Sequence, residues 1–239
     1  SSSSAASDVY KRQMQIMANG ACQLTTQAYS DGKIDGVVIL GGSMGTDLAL
    51  DVCGSLPLGF PKYIISTIAF SPLLPTERIP ADVQMILWAG GLYGLNSICK
   101  ASLSQAAGAV LGAAKSLEKQ DTNKPMVGMT SFGKTVLQYM VTLKPALEAR
   151  GYEVAVFHPT GMGGRAFEDL AAQGRFVCVM DFATQEIGNH LFGSVVSAGP
   201  NRLTAAAIAG VPQIVAPGCH DLVDFPGSVS YTHLRAHET

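Results

Sequence analysis

The sequence predicts an α/β protein of two consecutive three-layer units with mainly parallel sheets, and three observations carry that prediction. Apolar runs of strand length alternate with helical patterns along the whole chain. Several of these runs are continuous rather than alternating, as in strands covered on both faces. A polar stretch closed by proline, 118–125 (EKQDTNKP), splits the pattern in two. With 47% hydrophobic residues over 239 positions the chain can bury a core, which excludes a disordered or low-complexity polypeptide. A net charge of −2 argues against a nucleic-acid footprint. No apolar run approaches the roughly 18 residues that would span a membrane.

Taken in order, 14–30 reads as a helix. The run 36–40 (GVVIL) reads as a buried strand, followed by a glycine-rich turn and a helix to about Cys53. Strands are expected at 62–67 (KYIIST) and 83–88 (VQMILW), then a small-residue helix over 96–117. Beyond the linker come strand 126–130, helix 134–150, strand 153–157, helix 164–173, strand 176–180, helices 184–191 and 201–209, and strand 213–216. The five cysteines are odd in number and show no metal-ligand spacing, so they read as reduced core thiols.

Both ends stand apart from this pattern. Residues 3–13 (SSAASDVYKRQ) and 229–239 (VSYTHLRAHET) read as in-frame translations of sequencing-library adapters. The expected organisation is therefore an artefactual tail at 1–13, the later part of a first domain at 14–120, most of a second at 121–228, and a second tail at 229–239. The native part reads as an internal fragment, of the metagenomic kind, with both units incomplete.

The residues that suggest chemistry lie where strands end, the side on which open α/β sheets bind ligands. The first turn is Gly41-Gly42-Ser43-Met44-Gly45-Thr46. Its glycines let backbone N–H groups approach an anion, and the helix start after it adds free donors. The second, 128–135 (GMTSFGKT), fits the P-loop pattern G-x-x-x-x-G-K-[ST], with Lys134 and Thr135 as its cation and hydroxyl. Asp181, ending the apolar run 176–181 (FVCVMD), matches a magnesium-holding Walker B carboxylate. The third turn, 158–165 (HPTGMGGR), offers Thr160, Gly161, Gly163, Gly164 and Arg165 as an oxyanion cradle. Glu168 and Asp169 one turn later read as carboxylates favoured by the helix dipole. His158 and Asp221 are the candidate acid–base residues.

Five runs, LGGSMGTDLA (40–49), LPLGFPKYIIST (56–67), VGMTSFGKT (127–135), VFHPTGMGGRAFEDL (156–170) and DFATQEIGNHLFG (181–193), resemble one family along 20–227. It is the ATP-binding family typified by the plant inhibitor of tobamovirus RNA replication, long carried as uncharacterised. The resemblance implies two Rossmann-like domains with nucleotide between them, a homodimer, and a cytoplasmic location. Two positions depart from the family pattern: Met44 replaces a usual glycine, and Lys134 a usually uncharged residue.

The leading expectation is an ATP-binding protein. Gly41, Gly42, Ser43, Gly45 and Thr46 would meet its phosphates together with Thr130, Gly133, Thr160, Gly161, Gly163, Gly164 and Arg165. Asp181 or Glu186 would hold magnesium. The alternatives are a P-loop NTPase using Lys134, Thr135 and Asp181, a metabolic enzyme working through His158 and Asp221, and a protein-binding module regulated by nucleotide. ATP-dependent hydrolysis or group transfer stays open, since no nucleophile is evident. No nucleic-acid or membrane partner is expected.

Overall fold

The structure is a computed structural model that describes residues 2–74, 76–88, 90, 94–118 and 123–224; of 2–8, 76 and 135 it describes the backbone alone. The expected tail at 229–239 lies outside the described residues. The chain divides into two compact units, Ser1–Lys119 and Gln120–Thr239. Each is a Rossmann-like arrangement of helices about a parallel sheet.

The first unit runs α1 (Ser2–Ser30), β1 (Val37–Gly41), α2 (Ser43–Ser55), β2 (Lys62–Ser66), a 3-10 turn at Thr76–Arg78, β3 (Gln84–Leu87) and α3 (Ser97–Ser116). Helix α1 thus takes in the segment read as adapter-derived. The sheet order is β1-β2-β3, and the register sets Gly41 beside Ser66. Strand β2 is buried along its whole length, as its apolar run requires. That burial includes Lys62, whose ammonium donates to both oxygens of Asp82 at 2.7 and 2.9 Å. The same carboxylate accepts the Gly59 N–H at 2.7 Å. Ala49, Leu50 and Cys53 of α2 pack on Ile64 and Leu74 to form the core, and burial pushes the Cys53 thiol up to about 12. Asn96 starts α3 by accepting the Cys99 N–H at 2.9 Å.

The second unit runs β4 (Met126–Thr130), α4 (Gly133–Glu148), β5 (Glu153–Phe157), α5 (Met162–Ala172), β6 (Cys178–Asp181), α6 (Gln185–Leu191), α7 (Ala205–Ile208) and β7 (Gln213–Val215). Its order, β5-β4-β6-β7, places the topological switch point between β4 and β6. Register sets Thr130 between Phe157 and Asp181 at the carboxyl ends of the strands. Beneath them Phe157, Phe167 and Phe176 pack mutually, with ring centroids 5.4–5.9 Å apart. Gly128 makes room for this trio, since a Cβ there would lie 2.8 Å from the Phe176 ring.

One element is shorter than its pattern implies. The helix expected at 201–209 reduces to the four residues of α7. Leu203 takes a left-handed φ of 77°, and Arg202 turns inward until it is 5% exposed. A buried charge with carboxylate partners outweighs local helix preference here.

Candidate functional site

The first turn forms as an open helix start. Gly41 is buried against the next turn of chain, and a Cβ on it would come within 2.4 Å of the Gly45 backbone. Only glycine allows strand β1 to pass so directly into α2. The first helical hydrogen bond runs from Thr46 N–H to Gly42 O at 2.8 Å. The N–H groups of Ser43, Met44 and Gly45 precede that ladder, and Gly42, the N-cap, offers no side-chain cap. Gly42, Ser43 and Met44 are exposed.

Thr46 does not join them. It is wholly buried, its hydroxyl 2.7 Å from that of Ser66 and 3.4 Å from Gly41 O. Its expected phosphate role gives way to a structural one, tying α2 to β2. Ser66, which sequence reading passed over, also accepts the Ile68 N–H at 3.0 Å and so fixes the start of the next loop. Ser66→Ala should destabilise the protein by about 1–3 kcal/mol, since buried hydrogen-bonding groups lose their partner; thermal unfolding measures it.

The second turn does not form a P-loop. Strand β4 continues through Thr130, so Gly128 lies inside the sheet, and only Ser131 and Phe132 remain before α4. Two residues cannot wrap a phosphate group. The Thr130 hydroxyl donates to Asp181 at 2.7 Å and accepts N–H groups of Phe182 and Ala183 at 3.0 and 3.1 Å. Gly133 is exposed at a φ of 66° and Lys134 is exposed beside it; the Thr135 side chain is outside the described residues.

The third turn is filled from within. Glu186, wholly buried, accepts the N–H groups of Gly161 and, at 3.2 Å, Gly164. Its carboxylate thus occupies the amides at the start of α5 that the sequence offered to a phosphate. The glycines are required by this close approach. Gly161 has a φ of 84°, and a Cβ on Gly164 would sit 1.8 Å from Glu186 Oε2. One on Gly163 would sit 1.8 Å from His158 O. Thr160 is half-buried, its N–H on His158 O at 2.9 Å, and Arg165 donates to Met162 Sδ at 3.0 Å.

Arg202 closes the other side of this carboxylate. Its Nε donates to Glu186 Oε2 at 2.8 Å, its Nη2 to Asp181 Oδ1 at 2.8 Å, and its Nη1 to Asp181 Oδ2 and to Glu168 Oε1, the last at 2.9 Å. Glu168 also accepts the N–H groups of Leu203 at 2.7 Å and Ala205 at 2.9 Å. Burial works against the Arg202 charge, but bonds to Asp181 and Glu186 outweigh it and hold its pKa above the ordinary value. Burial pushes Glu186 upward, against the pull of Arg202 and the two glycine amides. Asp181 and Glu186 are therefore ion-pair partners of Arg202, and the magnesium role expected of them does not fit their surroundings. Among the described residues no three His, Cys, Asp or Glu side chains group to hold a metal.

His158 and Asp221 are exposed. The His158 ring stacks on Phe132 at 5.0 Å, with Nδ1 3.2 Å from Ser131 O. From the same loop as Asp221 the His220 Nε2 lies 2.7 Å from the Thr184 hydroxyl, and Cys219 Sγ donates to Phe132 O at 3.3 Å. The sequence missed Arg202, Glu168 and Ser66 as organising residues. The available signal was an imbalance: several carboxylates near strand ends, with no buried cation yet assigned to them.

A pair of Rossmann-like units, one with an open amide turn and one closed around an internal ion cluster, places the molecule among the α/β proteins of parallel-sheet type. Family models sharpen this. The N-terminal domain of the uncharacterised protein family UPF0261 matches residues 1–119, and the C-terminal domain of the same family matches 124–235. The chain belongs to that family. A UPF0261 protein of Brucella suis is 60% identical over 213 residues, covering 89% of this chain and 51% of the relative. One from Clostridium tetani is 39% identical over 213 residues, again 89% of this chain and 52% of the relative. The tomato protein described as ToMV resistance protein Tm-1 is 35% identical over 218 residues, 88% of this chain and 28% of its own. The chain spans about half the length of the bacterial relatives it matches. Among the described residues no helix is long and apolar enough to cross a membrane.

Proposed function

We propose that the chain binds ATP through the first glycine-rich turn, the polyphosphate resting on the N–H groups of Ser43, Met44 and Gly45 at the start of α2. The observation that carries this reading is that start itself: exposed, without a side-chain cap, on a 13-residue helix at the carboxyl edge of a parallel sheet. The family resemblance supplies ATP as the nucleotide. Magnesium enters with the polyphosphate, not through Asp181 or Glu186. The reading keeps the cytoplasmic homodimer that the resemblance implies, which sedimentation velocity would test. Binding is proposed without turnover.

Gly42→Asp is the direct test. Its backbone is extended, at φ −79° and ψ −156°, and a Cβ there meets only the Thr67 hydroxyl at an ordinary 3.7 Å. The new carboxylate would cap α2 with little effect on stability. Occupying the phosphate donors, it should weaken ATP binding by about tenfold or more in calorimetry. Unchanged affinity would overturn the assignment. Lys134→Ala, by contrast, should alter affinity by no more than about twofold, as an exposed charge outside the site does.

A further inference from the structure

Ser131 and Phe132, the two residues between β4 and α4, are held from both sides by neighbouring loops. His158 Nδ1 lies 3.2 Å from Ser131 O, and Cys219 Sγ donates to Phe132 O at 3.3 Å. The geometry points to a second binding site here, at the carboxyl edge of the second unit's sheet, for a small hydroxylated carboxylate of the sugar-acid class. It is independent of the ATP site proposed for the first unit, and it reads the two ends of its ligand differently.

One end is built of acceptors. A carbonyl only accepts, so Nδ1 of His158 carries the proton, and in the neutral ring Nε2 is left as a bare acceptor. Stacking on Phe132, with centroids 5.0 Å apart and planes at 25°, fixes the direction of that exposed ring. The next residue, Pro159, is buried and offers no N–H. Its carbonyl accepts from Gln185 Nε2 at 2.6 Å. That bond sets which way the Gln185 amide faces, and Oε1, on a wholly buried side chain, meets no donor. An unmet buried acceptor is costly, and a ligand O–H relieves it. His158 Nε2 and Gln185 Oε1 thus belong to, or rest on, one His-Pro dipeptide, and both call for a donor.

The helix that follows supplies the opposite polarity. Phe132 gives α4 no side-chain cap, so the first N–H groups of this 16-residue helix have no partner within it. Gly133 and Lys134 are exposed at that start, and the Lys134 ammonium adds a positive charge. Such an end suits a carboxylate, whose two oxygens need fewer donors than a phosphate group. It disfavours a cationic ligand, and the carboxylate on α6, Glu186, is spent on Gly161, Gly164 and Arg202. Hydroxyls at one end and a carboxylate at the other are what this pairing of acceptors and donors matches.

The experiment is calorimetry of the full 239-residue chain with D-gluconate, sorbitol and hexanoate, which carry both groups, hydroxyls alone and a carboxylate alone. Gluconate should bind at least about tenfold more tightly than either of the others. His158→Phe keeps an aromatic ring on Phe132 and removes the acceptor at an exposed position, with folding followed by circular dichroism. It should weaken gluconate by about tenfold and leave hexanoate unchanged. His158→Gln, whose amide carbonyl accepts, should recover most of that loss. Lys134→Ala should weaken gluconate and hexanoate alike. The proposal is overturned if gluconate does not bind, binds no better than hexanoate, or is indifferent to His158→Phe or to Lys134→Ala. It is equally overturned if His158→Gln fares no better than His158→Phe, or if His158→Phe weakens hexanoate as much as gluconate, since either would mark a general disturbance of the turn.

Discussion

Arg202→Ala should destabilise the second unit by about 3–5 kcal/mol, the range for leaving buried charges unpaired. Asp181 and Glu186 are wholly buried and share this one guanidinium, and Glu168 is its third partner. Removing it strands three carboxylates and also uncovers the Phe167 ring, over which the guanidinium carbon lies at 5.6 Å. Urea denaturation gives the magnitude. Arg202→Met combined with Glu186→Gln should lose less than the sum of the single changes, because the two side chains act as one unit. Strict additivity would show that the cluster is not coupled as its geometry indicates.

Gly164→Ala should rank with it, at about 3 kcal/mol. A methyl group cannot share space with a carboxylate oxygen 1.8 Å away, and Glu186 cannot swing aside without leaving Arg202 and the Gly161 amide. Gly108→Ala provides the control. It lies in the interior of α3 with nothing within 4 Å of an added Cβ, so the change should stabilise by up to about 1 kcal/mol. Equal outcomes at the two sites would mean that the α5 socket is not rigid. The measurement is the unfolding midpoint of each variant under one set of conditions.

Most of the fold was legible because continuous apolar runs have few alternatives. The runs 126–130 and 153–157 became β4 and β5 with those bounds, and GVVIL became β1 shifted by one residue. The first turn was legible for the same local reason: Gly41 must approach Gly45, and both lie in one six-residue window. The second and third turns were not. GMTSFGKT spells a P-loop, but which of its residues leave the sheet depends on pairing with β5 and β6, and that pairing keeps Gly128 through Thr130 in strand. HPTGMGGR shows the amides that hold an anion but not the anion. That is a side chain 25 residues from Gly161, on another helix, and its counter-ion lies 16 residues further on. Arg202 was hidden because its neighbours read as helix surface, and local preference yields when a buried charge has partners elsewhere.

The ion cluster also bears on synthesis. Its members reach from Thr130 at the end of the first strand of the unit, through Glu168, Asp181 and Glu186, to Arg202, which emerges last from the ribosome. Until that arginine is made, the growing polypeptide carries acidic groups with no counter-ion to bury against. The early strands therefore await a residue some seventy positions downstream of Thr130, and a nascent chain halted short of it should remain open to protease.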